Sequence, residues 1–350
     1  MQLTNLRILS LLLISTSCIF CKPTNSKSTT FRQEVHAEKI HGLNFVAPPR
    51  EFEIDPILAV KKVEADWIAV IPYGYTMPKQ NRVIYNREKW QWWGETPAGV
   101  KKTIALAKQD GIKVMLKPQV YFPRSWSGNL SFDNESDWQQ WESDYTTYIM
   151  TFVQIATEMN VEMICIGTEF KQSVIQRPSF WREMIEKIRK NYPGKLTYAS
   201  NWDEFDKVTF WDQLDFIGIN AYFPLCEDST PSQSQLKKAW IPPLESIRAI
   251  HEKFKKPVIF TEYGYLSVDA CTSRNWELES KIKQLNINEK AQSIAIESLW
   301  KNCSEEKWWL GGFIWKWFPN MQGHEGYPER DYSPQGKLGE NTLKECHQKY

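Results

Sequence analysis

The stretch Glu162-Met-Ile-Cys-Ile-Gly-Thr-Glu-Phe170 decides the fold: it is an unbroken apolar run that stops at a carboxylate, Glu169. A second stretch repeats the pattern. Pro257-Val-Ile-Phe-Thr-Glu-Tyr-Gly-Tyr265 is built from β-branched and aromatic residues and carries Glu262 where the first has Glu169. Continuous apolar runs of this length read as parallel strands buried on both faces. Two such strands in one barrel, each ending in Glu, bring both carboxylates to the C-terminal mouth, the face on which barrel enzymes carry their chemistry.

Working outward from these two runs, strands alternate with helical segments eight times, which predicts a single-domain α/β fold, a (β/α)8 TIM barrel. The remaining strands are His41–Ala47, Asp66–Gly74, Lys113–Val120, Leu196–Trp202, Asp215–Phe223 and Gly311–Phe318. Thr96-Pro97 opens a helix that Gly111 ends, and Tyr192-Pro-Gly194 is a turn leading into the fifth strand. The loop through Trp90, Trp92 and Trp93 is long and aromatic, and Trp93 is taken from it as a sugar contact. Ser267 to Asn286 has little periodicity and is expected to lie over the cleft as a loop. Of Trp315 and Trp317 in the last strand, one is expected to face the barrel interior and the other the helices.

Composition narrows the partner. With 43 basic and 42 acidic residues the formal charge is +1, which gives no field to attract nucleic acid or an anionic membrane. Seventeen Trp and fourteen Tyr supply flat amphipathic rings suited to packing on pyranose C–H faces. No Cys/His spacing matches a zinc site, so neither metal nor cofactor is expected. Residues 1–21, with Arg7, the apolar run Ile8–Ile14 and small residues before Cys18, read as a secretory signal. Ser17-Cys18 also resembles a lipoprotein cleavage site, which would anchor the chain by lipid at Cys18. Residues 22–38 read as a flexible tether, and 39–350 as the catalytic barrel of a secreted or cell-surface, monomeric protein. Cys226–Cys271 and Cys303–Cys346 are the expected disulfides.

Two carboxylates at one barrel mouth imply glycosidic bond hydrolysis, one protonating the leaving oxygen and the other attacking C1 or activating water. A spacing of about 5 Å means direct attack, and roughly 6.5–9.5 Å leaves room for water. Lys117 is read as a surface lysine or an ion-pair partner of one Glu, or else as a substrate contact. Asn220 and Tyr222 fall near the mouth, with Tyr222 placed to hydrogen-bond the nucleophile, and Trp315 is a candidate sugar floor.

These residues make the chain similar to the clan A retaining glycosidases and, within them, to glycoside hydrolase family 113, whose known members are β-mannanases. The resemblance rests on Gly-Leu-Asn-Phe-Val from Gly42, Val-Met-Leu-Lys-Pro from Val114, Ile-Gly-Thr-Glu-Phe from Ile166, Asn-Trp-Asp-Glu from Asn201, Phe-Ile-Gly-Ile-Asn-Ala-Tyr-Phe from Phe216, Phe-Thr-Glu-Tyr-Gly-Tyr from Phe260 and Gly-Gly-Phe-Ile-Trp-Lys-Trp from Gly311. It implies Glu169 as acid/base, Glu262 as nucleophile, Tyr222 orienting Glu262, Trp315 under the attacked sugar, Asn201 as a further sugar contact, and a β-mannan or glucomannan substrate. Thr168 stands where much of clan A has an Asn that meets the sugar 2-hydroxyl. Alternatives are a β-glucan or manno-oligosaccharide hydrolase of the same clan, or a carbohydrate-binding barrel without catalysis.

Overall fold

The computed structural model describes residues 38–85, 91–319 and 326–350; the signal, Cys18, most of the tether and Trp90 lie outside the described residues. From Glu38 onward the chain is one compact unit. Eight parallel strands close into a barrel: β1 (Ile40–Phe45), β2 (Trp67–Val70), β3 (Lys113–Leu116), β4 (Met163–Thr168), β5 (Lys195–Asn201), β6 (Ile217–Asn220), β7 (Val258–Tyr263) and β8 (Trp309–Trp317). Neighbours in the barrel follow chain order, and β8 pairs with β1 to close it.

Three strands are shorter than the sequence suggests, the run from Asp215 being a strand only over Ile217–Asn220. The runs from Asp66 and Lys113 are interrupted at Pro72 and Pro118, which have no N–H to give to a ladder. Beyond the prolines, Tyr73–Tyr75 and Gln119–Tyr121 leave the barrel wall and pair with each other as a small parallel sheet. This flap carries Gln119 and Tyr121 over the mouth.

Helices cover the outside, and their starts follow from local chemistry. Pro97–Gln109 begins on Thr96, whose hydroxyl accepts from the Gly99 amide, and Glu135–Glu158 begins on Asn134, which accepts from the Asp137 amide. Each such cap contributes about 1 kcal/mol. The step from β5 to β6 lacks an α-helix and is made by a loop with one 3-10 turn, Trp211–Gln213. The segment expected as a loop, Ser267 to Asn286, contains the helix Asn275–Ser280 and a 3-10 turn, Ile282–Gln284. Among the described residues no helix is long and apolar enough to cross a membrane.

Packing divides into two layers. A small inner cluster with Trp67, Met115, Cys165, Ile259 and Phe313 fills the barrel, and a larger one lies between strands and helices. Trp317 is buried in the outer layer whereas Trp315 is half-exposed at the mouth; strict alternation would put residues two apart on one face, and the register shift by which Leu43 pairs with Ile314 but Phe45 with Trp317 gives β8 one extra residue that turns them apart.

Neither expected disulfide is formed; all four thiols are free. The Cys226 and Cys271 loops are joined instead by backbone and hydroxyl hydrogen bonds, Leu225 N to Thr272 O (2.7 Å) and Thr272 Oγ1 to Cys226 O (2.9 Å). Cys303 and Cys346 lie in the apolar outer layer, where burial raises both thiols, Cys346 to about 12. They pack there as small hydrophobes.

Candidate active site

Simple alternation along β7 would turn Glu262 away from the mouth. Val258 and Phe260 pack in the outer layer and Ile259 in the inner one, so Glu262 by parity belongs outside. An irregularity intervenes: Ile219 pairs with Phe260 but Asn220 with Glu262, so β7 has one extra residue, Thr261, across that step. Such a bulge re-aims the side chain that follows it. Glu262 then faces the cavity. Glu169 reaches the same place by a different device, a left-handed backbone (φ +57°) at the end of β4. This conformation is uncommon for a residue with a Cβ and costs of order 1 kcal/mol or more, so the surrounding structure must hold it. Its amide donates to Ala199 O at 2.8 Å, and the next amide, Phe170 N, donates to the Tyr198 hydroxyl at 2.8 Å.

Both carboxylates line one cavity of about 910 Å³ together with Tyr121, Trp126, Asn201, Trp202, Tyr222, Trp276 and Trp315. Their surroundings differ. Glu262 is 6% exposed and forms an ion pair with the fully buried Lys117. It also accepts from Gln119 Nε2 (3.1 Å) and from the Tyr222 hydroxyl (2.8 Å). Every one of these partners donates, which suits a carboxylate. Burial and the Glu262 charge push the Tyr222 phenol well up, so it remains a donor. Lys117 is steadied in turn by Asn44 Oδ1 (3.4 Å), while the Asn44 amide donates to Thr261 O (3.1 Å) and Phe313 O (3.0 Å).

Glu169 receives two donors: Trp126 Nε1 (2.6 Å) and Asn220 Nδ2 (2.8 Å). Loss of hydration, followed by the nearby Glu262 charge, raises its carboxyl to about 7 even though these donors and Lys117 act against the shift. The site thus holds one carboxylate surrounded by donors and one carboxyl that takes a proton near neutrality. Two acids in environments as different as these suit the division of labour between an acid and a nucleophile or base.

The residues singled out from sequence fall into three groups. Tyr222, Asn201 and Trp315 line the cavity beside the two carboxylates. Lys117 and Asn220 are fully buried behind it and touch the carboxylates, Lys117 as the ion-pair partner of Glu262 and not as a surface lysine. Trp93 does not join them: it packs edge-on against Phe52, ring centroids 5.4 Å apart, and its neighbour Trp92 takes the cleft-facing place. Thr168 is buried and outside the cavity lining. Trp126 was missed because it comes from a loop with no periodicity, although the Arg124–Trp126 segment follows a strand end, where contacts of this kind collect. Gln119 stands near the end of the Lys113–Val120 run, but its contact with Glu262 depends on the break in the strand at Pro118. Gly264, just after Glu262, allows the close approach of β8: a Cβ there would be 2.3 Å from Trp315 O. Among the described residues no group of three or more His, Cys, Asp or Glu is placed to hold a metal ion.

A parallel (β/α)8 barrel with an acid pair and an aromatic-lined cleft at its C-terminal mouth has the architecture of a glycoside hydrolase. The chain belongs to Glycoside Hydrolase Family 113, whose family model matches residues 54–337. Among solved structures it is similar to a GH113 β-1,4-mannanase seen in a complex (TM-score 0.76, 24% identity, 89% of this chain and 100% of that one). It is also similar to the GH113 β-mannanase of Alicyclobacillus acidocaldarius in complex with ManMIm (TM-score 0.76, 22% identity, 89% and 97% covered). A Ruminococcus gnavus β-glucuronidase shares the fold more loosely (TM-score 0.61, 12% identity, 89% and 50% covered). Curated proteins supply no match.

Proposed function

We propose that the protein is an endo-β-1,4-mannanase that works by double displacement, with Glu169 as acid/base and Glu262 as nucleophile. The observation that carries this reading is the contrast between the two acids: Glu262 is gripped by Lys117, Gln119 and Tyr222, while Glu169 holds a proton up to about pH 7. In the first step a Glu262 oxygen attacks C1 of the sugar on Trp315, the C1–O bond to the leaving sugar breaks, and Glu169 gives that oxygen its proton. In the second step Glu169 takes a proton from water, the water oxygen bonds to C1, and the ester to Glu262 breaks, with net retention. Similarity to β-mannanases supports mannan as the substrate. The order of residues 1–21 supports export, with Cys18 as lipid anchor, to be checked by labelling with a fatty-acid probe and loss of label in Cys18→Ala.

The test is hydrolysis of mannan, glucomannan, cellulose and xylan with the first product anomer followed by NMR. Release of β-anomers from mannan is the expected result. Hydrolysis of another β-glycan alone discards mannan, and release of α-anomers discards the covalent intermediate.

A further inference from the structure

Glu204 is a buried acid that the reaction derived above does not use. It is 2% exposed and lies just beyond the end of β5, behind the cavity wall that Asn201, Trp202 and Asp203 form. Its side chain folds back onto the strand. Glu204 Oε1 accepts from the Asn201 amide at 3.2 Å while the Glu204 amide donates to Asn201 O at 3.1 Å, so one residue holds both backbone groups at the last position of β5. Its other oxygen, Oε2, is buried without a hydrogen-bond partner among the described residues. A buried oxygen left in that state is unfavourable, and in a folded protein it calls for an explanation beyond packing.

The end of β5 is also what fixes Glu169. The left-handed backbone there is held by the Glu169 amide donating to Ala199 O and by the following amide donating to the Tyr198 hydroxyl, both at 2.8 Å. Asn201 pairs in register with Asn220, whose Nδ2 is one of the two donors on the Glu169 carboxyl. Backbone and carboxyl of Glu169 thus both rest on the strand end that Glu204 closes. Charge follows the same path. The ionisable groups facing Glu204 are Tyr198 on β5, Asp203 on its own turn, Lys171 on the helix Lys171–Gln176, which is ion-paired with Asp203 at 3.0 Å, and Glu169. Burial, together with the Glu169 and Asp203 charges and against the Asn201 hydrogen bond and Lys171, raises the Glu204 carboxyl to about 7, where Glu169 also stands. Two acids that feel each other give up their protons in coupled steps, and an ionised Glu204 keeps the proton on Glu169 to higher pH. Glu262 and Lys117, which face Glu169 from the other side, are untouched by changes at Glu204.

We propose that Glu204 is a positioning residue for Glu169, acting from behind the cleft wall through the end of β5 and through its own negative charge. This rests on the glycosidase reading above and adds a third carboxyl to the acid pair.

The experiment compares wild type, Glu204→Gln and Glu204→Leu on two substrates. Mannohexaose has a poor leaving group and needs the proton of Glu169. The single-sugar probe 2-deoxy-2-fluoro-β-mannosyl fluoride loses fluoride as C1 bonds to the nucleophile and needs little help from an acid. Glu204→Gln keeps an acceptor for the Asn201 amide and removes the charge, so the alkaline limb of kcat/KM on mannohexaose is expected to move to lower pH by about half a pH unit. Glu204→Leu removes the acceptor as well and is expected to lower kcat on mannohexaose about tenfold with less change in KM, while inactivation by the probe stays within about twofold. A limb that stays in place in Glu204→Gln overturns the proposal, and so does an equal loss on both substrates in a folded Glu204→Leu; both leave the glycosidase reading standing. If Glu204→Leu fails to fold, the limb of Glu204→Gln decides alone. A wild type that neither cleaves mannohexaose nor reacts with the probe overturns both readings.

Discussion

The two ends of the barrel both bury ionisable groups, and they treat them in opposite ways. At the mouth, Lys117 and Glu262 are paired in the interior, and Glu169 faces a cavity with its carboxyl raised to about 7. At the closed end, His41 and His347 lie ring to ring, centroids 4.8 Å apart, against Trp300. Burial and the mutual proximity push His347 down to about 3, and burial lowers His41, so both are neutral at pH 7. His347 Nδ1 is 2.8 Å from Val63 O, and neither ring lines the cleft at the mouth. The mouth keeps charge where a substrate can meet it, whereas the His41–His347 pair is neutral and packed. Titratable groups at the mouth should therefore control rate, and those at the closed end only stability.

The largest effects that could break this contrast are on rate. Glu262→Gln should lower kcat by roughly 10⁴-fold or more, and Glu169→Gln by about 10²–10⁴-fold on substrates with poor leaving groups, both read by steady-state kinetics. Their stabilities should differ as well. Glu169→Gln removes a carboxyl whose burial is unfavourable and should hold or raise Tm, whereas Glu262→Gln leaves the Lys117 ammonium fully buried without its anion and should lower it. Lys117→Met leaves Glu262 in the same position. Breaking a buried pair costs about 3–5 kcal/mol, so denaturant unfolding should show a loss of that order, together with reduced activity.

At the closed end the expected change is in pH dependence alone. The folded-state pKa of His347 is below that of an unfolded His, so its contribution is complete above about pH 6.5 and is lost as pH falls toward 3. His347→Phe should flatten that acid loss in thermal unfolding and leave kcat at pH 7 unchanged. A rate change with intact stability would place a functional group at the wrong end. The smallest effect is a limb in the rate profile. In the proposed mechanism Glu169 must be protonated to assist the leaving group, so kcat/KM should decline as pH rises through about 7, and Glu169→Gln should lack that limb.

Much of the mouth could be read from the chain because strand ends announce themselves. Apolar runs ending in Glu169 and Glu262 placed the two acids on one face, and Tyr222, Asn201 and Trp315 stood at the ends of neighbouring runs. What stayed hidden depends on single-residue geometry. Strict alternation puts Glu262 on the wrong side of β7, and only the extra Thr261 in the register turns it inward. Trp92 and Trp93 are adjacent in an irregular segment, where no period says which ring faces the cleft; the 3-10 turn at Trp93–Glu95 decides it. The cysteines were paired by their places in the chain, which carries no information on whether thiols meet. The His41–His347 contact joins residues from the two extremes of the described chain, beyond the reach of local pattern.

The account is tested most directly by trapping the intermediate. Wild type is incubated with 2-deoxy-2-fluoro-β-mannosyl fluoride, digested, and its peptides weighed and sequenced by mass spectrometry. The account predicts one added fluoromannosyl group, on the peptide holding Pro257–Tyr265 and at Glu262. A label on another residue, or mannan hydrolysis by an enzyme that never takes up the label and releases α-anomers, would contradict it.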